Sequence, residues 1–227
     1  MRREARSTRY AMTVVAGAAT TLESGLARQR VALPPGGAER LAAYLALLAK
    51  WNRIYNLTAI REPERMVTHH ALDSLAVVGA LPTTPGLRIL DVGSGGGLPG
   101  IPIAIARPDA SVVLIDASGK KATFLAQAAI ELPLRNVEAV AARVEDYAPA
   151  RPFDVVISRA FADLATFVRV ARRHVAPGGA LYAMKGVRPD SELAALPDDV
   201  EVVATTRLDV PGLDGERHLC VLRPRSA

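Results

Sequence analysis

The sequence predicts an α/β fold: a mostly parallel, seven-stranded sheet, helices on both faces, an antiparallel last strand and an N-terminal helical flank. Three observations predict it. From Leu87 onward, short apolar runs alternate with helical patterns, which is the signature of parallel strands joined by right-handed crossovers. The first run, Ile89-Leu90-Asp91-Val92, ends beside an acid and breaks into Gly93-Ser94-Gly95-Gly96-Gly97-Leu98-Pro99-Gly100, a tight strand-to-helix turn. The last two apolar runs flank Pro211-Gly212 with no helical stretch between them, so they pair antiparallel.

The elements follow in order. Residues 1–20 carry Arg2, Arg3, Arg6 and Arg9 ahead of a mild run, Ala11–Thr20. That run is rich in Ala, Thr and Gly and poor in Leu, so it reads as a disordered extension rather than a secretory signal. Pro34-Pro35-Gly36-Gly37 punctuates the chain. After it, Leu41, Tyr44, Leu45 and Leu48 form one stripe of an amphipathic helix over Ala38–Lys50. A second helix is expected over Glu62–Leu81, with Pro63 in its first turn. Residues 21–86 are too short for a core of their own and read as a flank on the fold made by residues 87–227.

Strands are expected at Arg88–Val92, Ser111–Asp116, Asn136–Ala141, Phe153–Ser158, Ala180–Lys185, Val200–Leu208 and Glu216–Arg223. Helices are expected near Gly100–Ala106, Lys120–Glu131 and Asp163–Val175. Pro177-Gly178-Gly179 is the turn into the fifth strand.

Composition narrows the class. The 227 residues are half apolar and only 4% aromatic, so the core is built of Ala, Leu and Val. A net charge of +5 and a pI near 9.7 agree with a polyanionic partner if the charge is clustered. One cysteine, Cys220, excludes an intramolecular disulfide and fits a reducing, cytoplasmic setting. No run reaches the roughly 18 apolar residues of a membrane span. Four scattered histidines and the single cysteine offer no metal set.

In an open α/β sheet the ligand lies beyond the carboxyl ends of the strands, and the polar residues gather there. Asp91 ends the first strand and Asp116 the second; Val144-Glu145 follows the third, Arg159 the fourth and Lys185 the fifth. An acid before alternating glycines suits a ligand with a positively charged amino-acid tail, such as S-adenosylmethionine (SAM), rather than a pyrophosphate. Asp116 is placed to accept both ribose hydroxyls, with a helix N-cap as its alternative. Glu145 is placed to accept from an adenine amino group beside the Val144 backbone. Arg159 follows a strongly apolar strand, where an unpaired guanidinium is costly. It binds either a ligand carboxylate or phosphate, or a neighbouring acid, Asp91 or Asp154. Lys185 follows the same logic. His70 and Asp73 share a helical face, and His70 reads first as a satisfied core histidine and second as a substrate-positioning residue.

Taken together, the blocks Trp51-Asn52, Tyr55-Asn56-Leu57-Thr58, His70 with Leu72-Asp73-Ser74, Asp91 through Pro102, Gly119-Lys120-Lys121, Arg143-Val144-Glu145, Ile157 through Phe161, Tyr182 through Gly186 and Leu213 through Leu219 resemble one family. It is the bacterial small-subunit (16S) ribosomal RNA guanine-N7 methyltransferase G family (RsmG/GidB), and the resemblance runs from about Leu41 to Leu222. It implies a Rossmann-like SAM-dependent methyltransferase fold, SAM as cofactor, and 16S RNA or the small ribosomal subunit as partner. By motif match it implies cofactor contacts at Gly93, Leu98, Val144, Glu145 and Arg159, to which the residue reading adds Gly95 and Asp116. No general base is required; Arg159, Lys185 and His70 are the candidate substrate-positioning residues. Arg53, Arg61, Arg65, Lys120, Lys121 and Lys185 are the expected phosphate contacts. A monomer without metal or membrane attachment is expected. Two other readings remain open on the residues alone: a methyltransferase acting on a small molecule or protein, and a non-catalytic nucleic-acid-binding protein on the same fold.

Overall fold

A computed structural model describes residues 21–225. The arginine-rich stretch expected to be an extension lies outside them. After a helical stretch over residues 21–29, α1 (Gly37–Tyr55) buries Leu41, Tyr44, Leu45, Leu47 and Leu48. It runs past the expected end at Lys50 because its last turns have partners. Trp51 packs against Phe124 with ring centroids 5.6 Å apart, and buried Asn52 accepts the Thr58 backbone N–H through Oδ1 at 2.8 Å. Asn56, left-handed at φ 50, stops the helix.

The helix expected over Glu62–Leu81 is real but not regular. Here α2 runs as an α-helix over Pro63–Met66, as a π-helix over Val67–Leu72 and as an α-helix again over Asp73–Leu75. A 3₁₀ turn at Val78–Ala80 follows. Apolar periodicity does not mark a one-residue π insertion.

The strands are β1 (Arg88–Val92), β2 (Ser111–Asp116), β3 (Val137–Ala141), β4 (Phe153–Arg159), β5 (Val175–Lys185), β6 (Val200–Arg207) and β7 (His218–Pro224). Among the described residues they form one sheet in the order β3-β2-β1-β4-β5-β7-β6. Pairings from β3 through β5 are parallel, and β7 runs antiparallel to both β5 and β6. Alternate side chains go to opposite faces, as the pleat requires. Ile89, Val112, Leu114, Val155 and Ile157 join one apolar cluster with α1, α2, α3 (Gly100–Ala106) and α4 (Gly119–Glu131). Leu90, Val92, Val113, Ile115 and Val156 join the other with α5 (Leu164–Ala171). The flank's Leu22, Leu41, Leu48 and Leu72 are thus continuous with the sheet's own core.

Two boundaries differ from expectation for one reason. The helix expected over Asp163–Val175 ends at Ala171, with a 3₁₀ turn over Arg172–His174, because Val175 already pairs with Phe153. The Pro177-Gly178-Gly179 turn is instead an irregularity inside β5. A Cβ on Gly179 would lie 2.7 Å from the Asp154 carbonyl oxygen, so only glycine permits the strands to close there. A short helix, α6 (Asp190–Ala194), has no counterpart in the expected pattern.

Candidate active site

The order of strands reverses between β1 and β4, and the crevice at such a switch point is where α/β sheets take ligands. The turn after β1 is held from both sides. Gly93 and Ser94 donate backbone N–H bonds to the Ile115 carbonyl at 2.9 and 3.1 Å. The Tyr44 hydroxyl donates to the Gly96 carbonyl, which ties α1 to the turn. Burial pushes the Tyr44 phenol up, so it stays a donor throughout the physiological range. Gly93 is left-handed at φ 70, and a Cβ there would meet nothing within 4 Å. That open space borders a cleft of about 200 Å³ lined by Gly93, Asp116, Arg143, Val144, Glu145 and Phe161. Two hollows of about 350 Å³, beside α5 and beside the Arg207–Gly215 segment, contain none of these groups.

Asp91 is completely buried. Its Oδ2 accepts the Gly100 N–H at 2.9 Å, while Oδ1 has no hydrogen-bond partner among the described residues. Burial raises its carboxyl to about 7, against the smaller opposing effects of that N–H, of Ser94 and of the Arg159 charge. The site therefore keeps a carboxylate poised between charged and neutral beneath the glycine turn.

Asp116 lies at the rim of the cleft, and it is not the cap of α4, whose N-cap position is Ser118. Asp116 Oδ1 accepts the Ser118 N–H at 2.8 Å and Oδ2 the Gly95 N–H at 3.0 Å. Lys121 stands 3.7 Å away. Each carboxylate oxygen retains a second acceptor direction at the rim of the cleft. Val144 and Glu145 open a 3₁₀ turn, Val144–Asp146, at the opposite wall. Buried His174, unremarked in the sequence, donates from Nε2 to the Val144 carbonyl at 2.9 Å and pins that wall. Leu98 is buried below the turn, preceding Pro99 through a cis peptide bond.

Arg159 is half-buried and does not pair with Asp91 or Asp154. Its Nη1 donates to Asp73 Oδ2 and to the His69 carbonyl, both at 2.9 Å. Asp73 Oδ1 accepts from Arg217 Nε at 3.0 Å. Neither arginine's tie to Asp73 is visible as local spacing, since they lie 86 and 144 positions along the chain. The next residue, Ala160, is left-handed at φ 63, a conformation that alanine adopts only at a cost. It turns the chain so that Phe161 lines the cleft, with its ring 5.3 Å from that of Phe167. Lys185 also reaches the mouth of the sheet, but its Nζ is paired with Glu192 Oε2 at 2.8 Å. The same Glu192 oxygen accepts the Leu164 N–H, so α6 links Lys185 to the start of α5.

His70 is buried and satisfied. Its Nδ1 lies 3.0 Å from the His69 carbonyl, which can only accept, so Nδ1 carries the proton. Nε2 then accepts from the Thr58 hydroxyl at 2.8 Å. Burial, then the Arg159 charge, pulls its pKa down to about 4. A histidine depressed in this way stabilises the fold fully above its ordinary value near 6.5, and that stability is lost as pH falls through about 4. His70→Gln is expected to flatten the fall of melting temperature with pH between about 6.5 and 4, an effect on the order of 1–3 kcal/mol. Thermal melts at a series of pH values read it directly; a slope unchanged by the substitution contradicts the burial argument.

Among the described residues no group of three or more His, Cys, Asp or Glu side chains is placed to hold a metal ion. None of their helices is long and apolar enough to cross a membrane.

A 3-2-1-4-5-7-6 sheet with β7 reversed, and an acid with a glycine turn at its switch point, defines an α/β protein of the methyltransferase fold class. Solved structures agree on the fold. A SAM-dependent methyltransferase from Aquifex aeolicus superposes with a TM-score of 0.56 at 16% identity, covering 77% of this chain and 97% of that one. The mitomycin 7-O-methyltransferase MmcR superposes at 0.58 and 16% identity, over 72% and 55% of the two chains. Residues 38–220 match the family described as GidB, rRNA small subunit methyltransferase G. The ribosomal RNA small subunit methyltransferase G of Laribacter hongkongensis is 57% identical over 201 residues, covering 88% of this chain and 96% of its own length. Its counterpart in Azoarcus sp. is 53% identical over 211 residues, covering 93% and 99%. The chain belongs to the rRNA small subunit methyltransferase G family.

Proposed function

We propose that this protein transfers a methyl group from SAM to N7 of a guanine in 16S ribosomal RNA, acting as a cytoplasmic monomer on RNA or on the small subunit. One observation carries the reading: the open approach over Gly93, bounded by Asp116 and the Val144–Glu145 wall, at the switch point of a chain in this family.

The groups present fit the cofactor. Asp116 accepts the ribose hydroxyls, and Glu145 with the Val144 backbone takes the adenine edge. Gly93, Gly95 and Leu98 shape the floor, and Arg159 offers donors to the methionine carboxylate. Negative charge on the Asp91 carboxylate, whose Oδ1 has no partner among the described residues, complements the ammonium end of the same tail. When bound, SAM supplies an electrophilic methyl on a positively charged sulfur. Guanine N7 is a lone pair that carries no proton, so the chain needs no general base; Tyr44 stays a neutral phenol, and His70 Nε2 already accepts from the Thr58 hydroxyl. The protein's work is to align the base and keep water out. Phe161 presents an aromatic ring at the rim against which a base can stack. Exposed Arg53, Arg61 and Lys120 are free to meet phosphates, whereas Arg65, Lys121 and Lys185 already face acids. Among the described residues the exposed large apolar side chains are Ile54 and Tyr55 at the end of α1, Ile130 on α4, Val187 after β5, and Val202 and Val203 on β6, with no more than two on any one element, which supports a monomer.

Asp91 gives a pH signature. With its carboxyl near 7, the charged form recedes as pH falls, and the ammonium of SAM loses its complement. SAM affinity is expected to weaken several-fold from pH 8 to pH 6, and Asp91→Asn to remove that dependence. Calorimetric titration at each pH measures it; affinity independent of pH in the natural protein contradicts this role. The reading as a whole is tested by incubating labelled SAM with small subunits lacking the modification and mapping the label by cleavage at N7-methylguanine. Label at a guanine N7 is the expected result, and label elsewhere or none overturns it.

A further inference from the structure

Arg159 is held by a local irregularity of α2. In an α-helix the Asp73 N–H would donate to the His69 carbonyl, four residues back. Here it donates to the carbonyls of Thr68 and His70 instead. The His69 carbonyl takes its bonds from the Arg159 guanidinium at 2.9 Å and the His70 ring at 3.0 Å. One turn on, Asp73 is only 2% exposed and offers Oδ2 to the same Nη1. Both acceptors converge on one nitrogen of the guanidinium. Nε and Nη2 have no hydrogen-bond partner among the described residues, and the side chain remains 22% exposed. The charge of Arg159 reaches Asp91 and Tyr44, the two groups beneath and behind the glycine turn.

Charge balance sharpens this. Asp73 is a single carboxylate shared by two arginines, the second being Arg217 at 3.0 Å. The cluster therefore keeps one net positive charge at the mouth of the sheet. A guanidinium fully neutralised by its own acid offers less to an anionic ligand than one sharing that acid with a second cation.

We propose that Asp73, set in place by the π-helical turn, is the positioning residue for Arg159. It fixes one prong of the guanidinium so that the others face the carboxylate of the bound SAM tail. This rests on the cofactor assignment above, and it gives Asp73 and the π-turn a role in ligand capture rather than in stability alone. Arg217 supplies the second charge that keeps the site cationic.

The test is a double-mutant cycle on SAM affinity, read by calorimetry with melting temperature measured alongside. Asp73→Asn and Arg159→Ala are each expected to weaken SAM about tenfold or more, and the double variant to be no weaker than Arg159→Ala alone. In steady state the loss is expected in KM for SAM, with kcat at saturation little changed. Arg159→Lys keeps the charge and an ion pair to Asp73 but has a single prong. It is expected to fold like the natural protein and to bind SAM as poorly as Arg159→Ala, and it reads the same claim if Asp73→Asn does not fold. Additive losses in the cycle, or natural affinity in Arg159→Lys, overturn the positioning role while leaving the cofactor assignment intact. A natural protein that binds no SAM overturns both.

Discussion

Valine at position 93 is expected to abolish SAM binding while leaving a folded protein. Gly93 is left-handed at φ 70, and a β-branched residue there is strained by about 1–2 kcal/mol. A Cβ at this position meets no protein atom within 4 Å, so the side chain occupies the cleft rather than the core. Its methyl groups fill the space that the nucleoside needs, between the turn and Asp116. A loss of about 3 kcal/mol or more, over a hundredfold in affinity, follows from blocking direct approach. Calorimetry gives the affinity and a thermal melt the stability. A variant that melts a few degrees lower yet binds SAM normally contradicts the placement of the ligand.

Gly100→Val tests the same turn from beneath and is expected to prevent folding. A Cβ on Gly100 would lie 2.2 Å from Leu114 Cδ2 and 2.7 Å from Asp91 Oδ2. Leu114 is in the centre of β2 and fully buried, so it has little room to move. The carboxylate is no freer, because its Oδ2 accepts the Gly100 N–H at 2.9 Å. The substitution overpacks the core and breaks the one hydrogen bond that a buried acid makes through its side chain, which together cost about 3 kcal/mol or more. Gly119→Ala is the matched control. It begins α4, has nothing within 4 Å of a Cβ, and is expected to be neutral or slightly stabilising. Urea unfolding of the three proteins separates the outcomes; a stably folded Gly100→Val protein contradicts the packing described at this turn.

These two glycines also show what a one-dimensional reading can reach. The β1 turn was legible because its signal is local: an apolar run, an acid, and glycines at positions that need left-handed backbone or close approach. The alternating strands and the reversed β7 were legible for the same reason, since strand period and turn chemistry are short-range. Asp116 and the Val144–Glu145 wall followed, because a parallel sheet brings the carboxyl end of every strand to one edge.

What stayed hidden depends on contacts between distant segments. Arg159 needed a partner, as its position after an apolar strand implied, but the partner is Asp73 on the flank rather than Asp91 or Asp154. The π-insertion that brings His69 and Asp73 to it leaves the apolar pattern of α2 intact. Lys185 reached the rim as expected, and only the unforeseen α6 shows that Glu192 already holds it. His174 carried no signal at all, because its task is to anchor the backbone of Val144, 30 positions away.

The claim on which the rest depends is that the β1 turn cradles SAM, and a crystal structure with S-adenosylhomocysteine tests it most directly. The account predicts the ribose on Asp116, the adenine against Val144 and Glu145, and the carboxylate on the free prongs of Arg159. Density for the nucleoside elsewhere, with the space over Gly93 filled only by water, contradicts it.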